Sequence, residues 1–244
     1  FGGLGVAEQL DHVPVEVTLI DQHDYHTFQP LLYQVATSLL NAEDVGAPVR
    51  SLFRHQDNVT FRMATVTGID VPGHKIQLNN SNQISYDYLV LAGGATVNYF
   101  DTPGAAEHAF PLYTLIHAVK LRNRILERFE AAASDPTLIE DGALNFVIVG
   151  AGPTGVETAG ALSDLFYNAL PHDYHQLATE KARIIIVDRG NEVLAPFKDN
   201  LRAYAKEELE RRRVVVRLGE AVAEVGPTCV RLKSGEEIKT HTLI

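Results

Sequence analysis

The stretch FVIVGAGPTGVETAG, residues 146–160, decides the fold. Phe146 to Val149 is a short apolar run rich in β-branched residues, as in a strand buried on both faces. Gly150-Ala151-Gly152-Pro153-Thr154-Gly155 then matches G-x-G-x-x-G. Apolar residues follow at Val156, Ala159, Leu162 and Leu165, the spacing of a helix. Each glycine has a task. Gly150 permits the tight turn, Gly152 lets backbone approach a pyrophosphate, and Gly155 lets helix and strand pack closely. The turn through Pro153 and Thr154 thus reads as cofactor-binding, with the free N–H groups of the helix start facing the phosphates.

A second strand, RIIIVD, ends at Asp188, placed to accept hydrogen bonds from the hydroxyls of an adenosine ribose. It lies 33 residues after Gly155, against a usual spacing of about 20. The intervening YNALPHDYHQLATEK either extends the crossover helix or loops out. An acid here favours NADH, because it repels the 2′-phosphate of NADPH. Arg189, next in sequence, softens that preference.

The chain opens on FGGLGVAEQL, which resembles the second half of the same device. Gly2 and Gly3 precede a segment able to form a helix. VEVTLID then alternates and ends in Asp21, 18 residues after Gly3, the spacing expected from glycine to ribose acid. Residue 1 is therefore expected to fall inside a fingerprint whose first strand and first two glycines lie outside the sequence. THTLI, at the other end, reads as the start of a strand. Two cradles imply two dinucleotides, and the usual reason is electron transfer from a nicotinamide to a flavin.

Composition supports an ordered α/β chain of one large or two medium domains: 244 residues, 45% hydrophobic. One cysteine, Cys229, excludes an internal disulfide and a dithiol redox pair within these residues. No apolar run approaches the roughly 20 residues of a membrane span. A net charge of -10 argues against a nucleic-acid partner and against electrostatic docking of these residues to an anionic membrane.

VTLIDQHDYHTFQPLLYQVAT, YDYLVLAGGATVNYF and NFVIVGAGPTGVETAGALSDL, with the helix in FPLYTLIHAVKLRNRILERFEAA, resemble the type II (non-proton-pumping) NADH:quinone dehydrogenases. The first stretch is the most specific; the others are shared with the wider two-dinucleotide flavoprotein superfamily. The resemblance implies two tandem Rossmann-like domains, with residues 1–112 on the FAD side and 113–244 on the NAD(H) side. The FAD domain is expected to be incomplete at both ends. The implied reaction carries a hydride from NADH to the flavin and then two electrons to a membrane quinone. A homodimer is implied, lying on the cytoplasmic face of the cell membrane as a peripheral protein through a C-terminal region. By motif, Gly2 and Gly3 approach the FAD pyrophosphate, Asp21 its ribose and Val66 its adenine, while Gln29 and Pro30 lie near the flavin ring. Ala92-Gly93-Gly94 corresponds to an A-T-G turn passing close to FAD, with Gly93 replacing the usual Thr. A soluble reductase serving a ferredoxin- or rubredoxin-type protein shares both cradles and stays open as an alternative, as does a redox-sensing flavoprotein.

Glu157 has two readings: an acid favoured in a first helical turn by the macrodipole, or a catalytic group near the nicotinamide–flavin contact that shapes the pocket or relays protons. The histidines of HDYH (23–26) and PHDYH (171–175) lack further ligands at zinc spacing, so no metal site is expected. Tyr99 and Phe100 have two readings, as a border of the active site or, more often for such aromatics, as core filling, and neither is expected to be catalytic. Arg211-Arg212-Arg213 is expected to cap a helix C-terminus. AAASDPTLIEDGAL reads as a loop at a domain junction.

Overall fold

A computed structural model describes residues 1–244, which divide into two compact units: Phe1–Thr27 with Gly46–Thr96, and Phe28–Val45 with Val97–Ile244. The units thus divide the chain at different points from 112/113.

In the first unit, α1 (Gly2–Gln9) runs from the two opening glycines and buries Ala7. It packs with β1 (Val17–Asp21), which pairs in parallel with β4 (Val59–Met63), Val17 opposite Val59. Ala7, Val49, Phe53 and Phe61 form the small core beneath them. Asn58 ties the α1–β1 connection down, donating to the carbonyls of Leu10, Val13 and Val15. β2 (Tyr25–Thr27) pairs antiparallel with β3 (Gly46–Pro48). β5 (Val66–Asp70), β6 (Lys75–Leu78) and β7 (Gln83–Ser85) form an antiparallel meander. Residues 89–98 have no regular secondary structure, and Val90 and Leu91 are exposed.

The second unit begins with α2 (Leu32–Ala36) and continues through α3 (Leu115–Ser134). The Thr114 hydroxyl caps α3 by accepting the His117 N–H. Ala118, Leu121, Ile125, Phe129 and Ala132 recur every three or four residues and are fully buried. The expected loop follows, but inside the second unit and not at a junction between units: Asp135 caps a 3-10 turn, Pro136–Ile139. Then come β8 (Asn145–Val149), α4 (Pro153–Asp164), β9 (Arg183–Asp188), α5 (Asp199–Arg211) and β10 (Val214–Leu218). A meander of β11 (Val222–Val225), β12 (Cys229–Leu232) and β13 (Glu237–Lys239) leads to β14 (Thr242–Leu243).

β10, β9, β8 and β14 lie side by side in that order, all parallel. Taken in sequence within this sheet, the order is 3-2-1-4, that of a dinucleotide-binding half. Both faces are covered. Phe129, Phe146 and Phe166 pack between sheet and helices, with ring centroids 4.6 to 6.1 Å apart; Val147, Ile185 and Val187 pack against the β11–β13 meander. After α4 the chain takes one π-helical turn, Leu165–Ala169, then a 3-10 turn, Leu170–His172, and a loop; His172 at the end of the turn and His175 in the loop are both exposed. This accounts for the long spacing to Asp188, and both sequence expectations for the segment hold.

One expectation holds and one needs correction. The arginine triplet closes α5: Arg211 is the basic residue of its last turn and pairs with Glu208, Arg212 is the C-cap and pairs with Asp164 at 2.8 Å, and Arg213 follows with a left-handed backbone, φ 63°. Phe100 fills no core and is 74% exposed, whereas Tyr99 does pack against the meander side of the sheet. No helix is long and apolar enough to cross a membrane.

Candidate dinucleotide sites

The turn after β8 has the geometry its glycines require. Gly150 has φ 110°, a region L side chains rarely enter. Gly152 is the N-cap of α4, and a Cβ there would meet nothing within 4 Å, so the space over the helix start is open to a ligand. At Gly155 a Cβ would collide with the Gly150 carbonyl oxygen and sit 3.4 Å from Ile148 Cγ2. Pro153 opens the helix, where no N–H is required, and the exposed Thr154 follows on the same turn.

Asp188, at the end of β9, reaches this turn. One carboxylate oxygen accepts the Ala151 N–H at 2.7 Å, and the other accepts the Gly190 N–H at 2.6 Å. Gly190 fits because a Cβ there would already lie 3.0 Å from Asp188 Oδ1. Sequence reading missed Ala151 and Gly190 as partners; the signal available was a glycine two residues past the acid. Arg189 is exposed, and its guanidinium lies over the ring of Phe100.

Glu157 is the fifth residue of α4, and the first turn of that helix holds no acid. The macrodipole reading of Glu157 is therefore corrected. Its side chain is exposed, and the desolvation it does experience pushes the carboxyl above its ordinary value.

In the first unit the structure brings Gly2, Gly3 and Ala92 together: Ala92 Cβ lies 3.6 Å from where a Cβ of either glycine would stand. Gly93 faces open space, and Gly94 has φ 70°. Asp21 is exposed at the end of β1 and accepts the His23 N–H at 2.8 Å. Val66 starts β5, opposite Leu78. Gln29 and Pro30 form an exposed 3-10 turn in the second unit, where Gln29 donates to the Tyr113 carbonyl. His23 stacks on Tyr25.

A doubly wound half with an open glycine turn and an acid-ended neighbouring strand defines a dinucleotide-binding oxidoreductase fold. The sequence matches the Pyridine nucleotide-disulphide oxidoreductase family over residues 1–244, and the chain belongs to that family. It is 36% identical over 241 residues to the type II NADH:quinone oxidoreductase Ndh of Mycobacterium tuberculosis (strain ATCC 25618 / H37Rv), covering 97% of this chain and 52% of that protein. It is 29% identical to an external alternative NAD(P)H-ubiquinone oxidoreductase, B1, of Solanum tuberosum, covering 96% of this chain and 42% of that one. The solved structure of NDH2 from Plasmodium falciparum in complex with NADH is similar with a TM-score of 0.87 at 24% identity, over 94% of this chain and 49% of that one. The chain spans about half the length of the curated relatives it matches.

Proposed function

We propose that this chain is the dinucleotide-binding part of a type II NADH:quinone oxidoreductase, which passes a hydride from NADH to FAD and two electrons on to a membrane quinone without pumping protons. The observation that carries the reading is the Gly150–Gly155 turn, open above Gly152 and flanked by Asp188 at the carboxyl end of the adjacent parallel strand. That is where open α/β sheets bind dinucleotides. The sequence similarity to quinone oxidoreductases supports the acceptor.

In this proposal FAD is held in the first unit by Gly2, Gly3, Asp21, Val66, Ala92, Gly93 and Gly94, with Gln29 and Pro30 near its ring. The closeness of Gly2 and Gly3 to Ala92, 3.6 Å from where a Cβ of either would stand, supports placing the start of α1 and the Ala92–Gly94 turn at one site. NADH is held by Gly150, Gly152, Pro153, Thr154, Gly155, Asp188 and Arg189. When bound, FAD supplies the two-electron acceptor for the nicotinamide and the donor to the quinone. The chain's own residues position and charge the site. The N–H groups at the start of α4 favour the phosphates, and Glu157, its carboxyl pKa raised by desolvation, holds or moves a proton at the mouth of the cradle. A homodimer lying on the cytoplasmic face of the cell membrane, anchored by residues outside 1–244, belongs to the same proposal.

The test is anaerobic stopped-flow on the complete protein with FAD bound. Mixing with NADH is expected to bleach the flavin band rapidly, and a short-chain quinone to restore it rapidly. Bleaching without a response to quinone would overturn the acceptor and point to a protein acceptor or a redox sensor. No bleaching by NADH would overturn the whole reading.

A further inference from the structure

Ala151 sits between two glycines of the turn after β8, and both of its backbone groups are held from outside that turn. Asp188 accepts its N–H. Its carbonyl accepts the Leu194 N–H at 2.8 Å. The Ala151 carbonyl and the Gly152 N–H belong to one trans peptide and point in opposite directions across its plane. Fixing the carbonyl therefore aims the Gly152 N–H. That N–H has no acceptor within the chain, and it stands at the start of α4, where a Cβ on Gly152 would meet nothing within 4 Å.

Leu194 is strained where it makes this bond. Its backbone is left-handed, φ 50°, which is rare for a bulky side chain. Such a residue persists only where its surroundings over-determine it, and the loop shows how. Val193 is buried in the main core, and the Phe197 N–H donates to the Leu194 carbonyl at 2.8 Å. Arg202, on the first turns of α5, grips the loop on both sides of Leu194. Its Nη1 pairs with Glu192 and donates to the Ala195 carbonyl at 3.3 Å, while Nη2 pairs with Asp199 at 2.7 Å. A fully exposed ion pair would contribute little. The Arg202 side chain is only 22% exposed, and its Nε is buried without an acceptor. Leaving a buried donor unpaired is unfavourable, so the contacts of the outer nitrogens are what hold the pose.

We propose that Arg202 is a positioning residue for the dinucleotide: by clamping residues 192–197 it keeps the Leu194 N–H on the Ala151 carbonyl and so aims the Gly152 N–H at the ligand's pyrophosphate. The inference rests on the reading of Gly150–Gly155 as the nicotinamide dinucleotide cradle. Arg202 acts through the loop and not on the ligand. Its planar fork matters because one guanidinium must reach Glu192 and Ala195 together.

The test uses the complete protein with FAD bound and two probes, NADH and adenosine 5′-diphosphate. Anaerobic stopped-flow over a range of NADH concentrations reads an apparent Kd and a limiting rate of flavin reduction; calorimetry reads the diphosphate. Arg202→Ala is expected to raise both dissociation constants about fivefold, the worth of one backbone hydrogen bond, and to change the limiting rate less than about twofold. Arg202→Lys keeps the charge but not the fork, and is expected to raise both constants about twofold. Glu192→Gln loosens the clamp and is expected to raise them about twofold as well, whereas loss of a negative charge acting directly on an anionic ligand would lower them. In a Leu194→Gly background, where a left-handed backbone needs no clamp, Arg202→Ala is expected to have less than about a twofold effect. Unchanged constants in Arg202→Ala, or a fall in the limiting rate alone, overturn the proposal; if that variant does not fold, unchanged constants in Arg202→Lys do so. Tighter binding in Glu192→Gln, or a full Arg202→Ala effect in the Leu194→Gly background, overturns the route through the loop. Failure of the wild-type protein to bind either probe overturns the cradle assignment itself and this inference with it.

Discussion

The carboxylate of Asp188 accepts the backbone N–H of Ala151 at 2.7 Å, so the acid at the end of one strand fastens the glycine turn at the end of its neighbour. The same group accepts the Gly190 N–H. Removing it leaves two donors at the lip of the cradle without their acceptor. Asp188→Ala is therefore expected to cost about 1–3 kcal/mol, seen as a lower midpoint in urea unfolding with an unchanged slope. Asp188→Asn keeps one acceptor and is expected to lose less. Equal stability of both variants and wild type would show that water replaces the carboxylate fully.

Two glycines three residues apart are expected to behave oppositely. At Gly155 an added methyl collides with the Gly150 carbonyl, so Gly155→Ala must push helix from strand, at a cost of about 1–3 kcal/mol. At Gly152 the methyl enters open space at an ordinary φ of -77°, so Gly152→Ala should unfold at nearly the wild-type temperature. It should nonetheless bind NADH more weakly, because the methyl fills the approach to the pyrophosphate. Thermal unfolding with and without NADH separates the two effects. A normal NADH-induced shift in Gly152→Ala would count against the cradle.

Phe129 joins the middle of α3 to the sheet, fully buried against Phe146 and Phe166. Phe129→Ala opens a cavity that flanking rings fill only in part, at an expected cost of about 3–5 kcal/mol. Phe129→Leu keeps most of the volume and should lose less than half of that. Denaturant unfolding checks the ranking.

The sequence revealed the second unit most fully, because there local signals agree. A β-branched run, three glycines, helical spacing and an acid-ended strand all require the same βαβ geometry. The first unit was legible only in part: the Gly3-to-Asp21 spacing predicted α1 and β1, but no pattern marked the compact division that gives residues 28–45 to the second unit. That division depends on the packing of α2 beside α3 and α4, a long-range fact. Phe100 was misread because aromatics are usually buried, and a left-handed turn without glycine leaves no trace in composition. The fixation of Asp188 was invisible for a related reason: a ribose acid and a turn-fastening acid occupy the same position, and only coordinates separate them.

His241 leads into β14, held where the Arg124 guanidinium donates to its carbonyl at 3.1 Å. Its Nε2 is buried without a partner, as is Nδ1 of His117 on α3. Burial lowers both imidazole pKa values, with Arg128 and Arg124 adding to the effect at His241 and Lys120 at His117. Asp141 opposes it at His241 without reversing the direction. The folded protein therefore binds these protons less readily than the unfolded chain, whose histidines titrate near 6.5. The stability contributed by the neutral rings is fully present above about pH 6.5 and is lost as pH falls through the lowered folded values. Urea midpoints are expected to decline between about pH 7 and pH 5.5, before the carboxylates begin to protonate. His241→Gln, which carries no titrating proton, should flatten that decline even if it lowers stability at pH 7.5. A decline of equal steepness in His241→Gln and wild type would assign the acid sensitivity to His117 or to groups elsewhere in the chain.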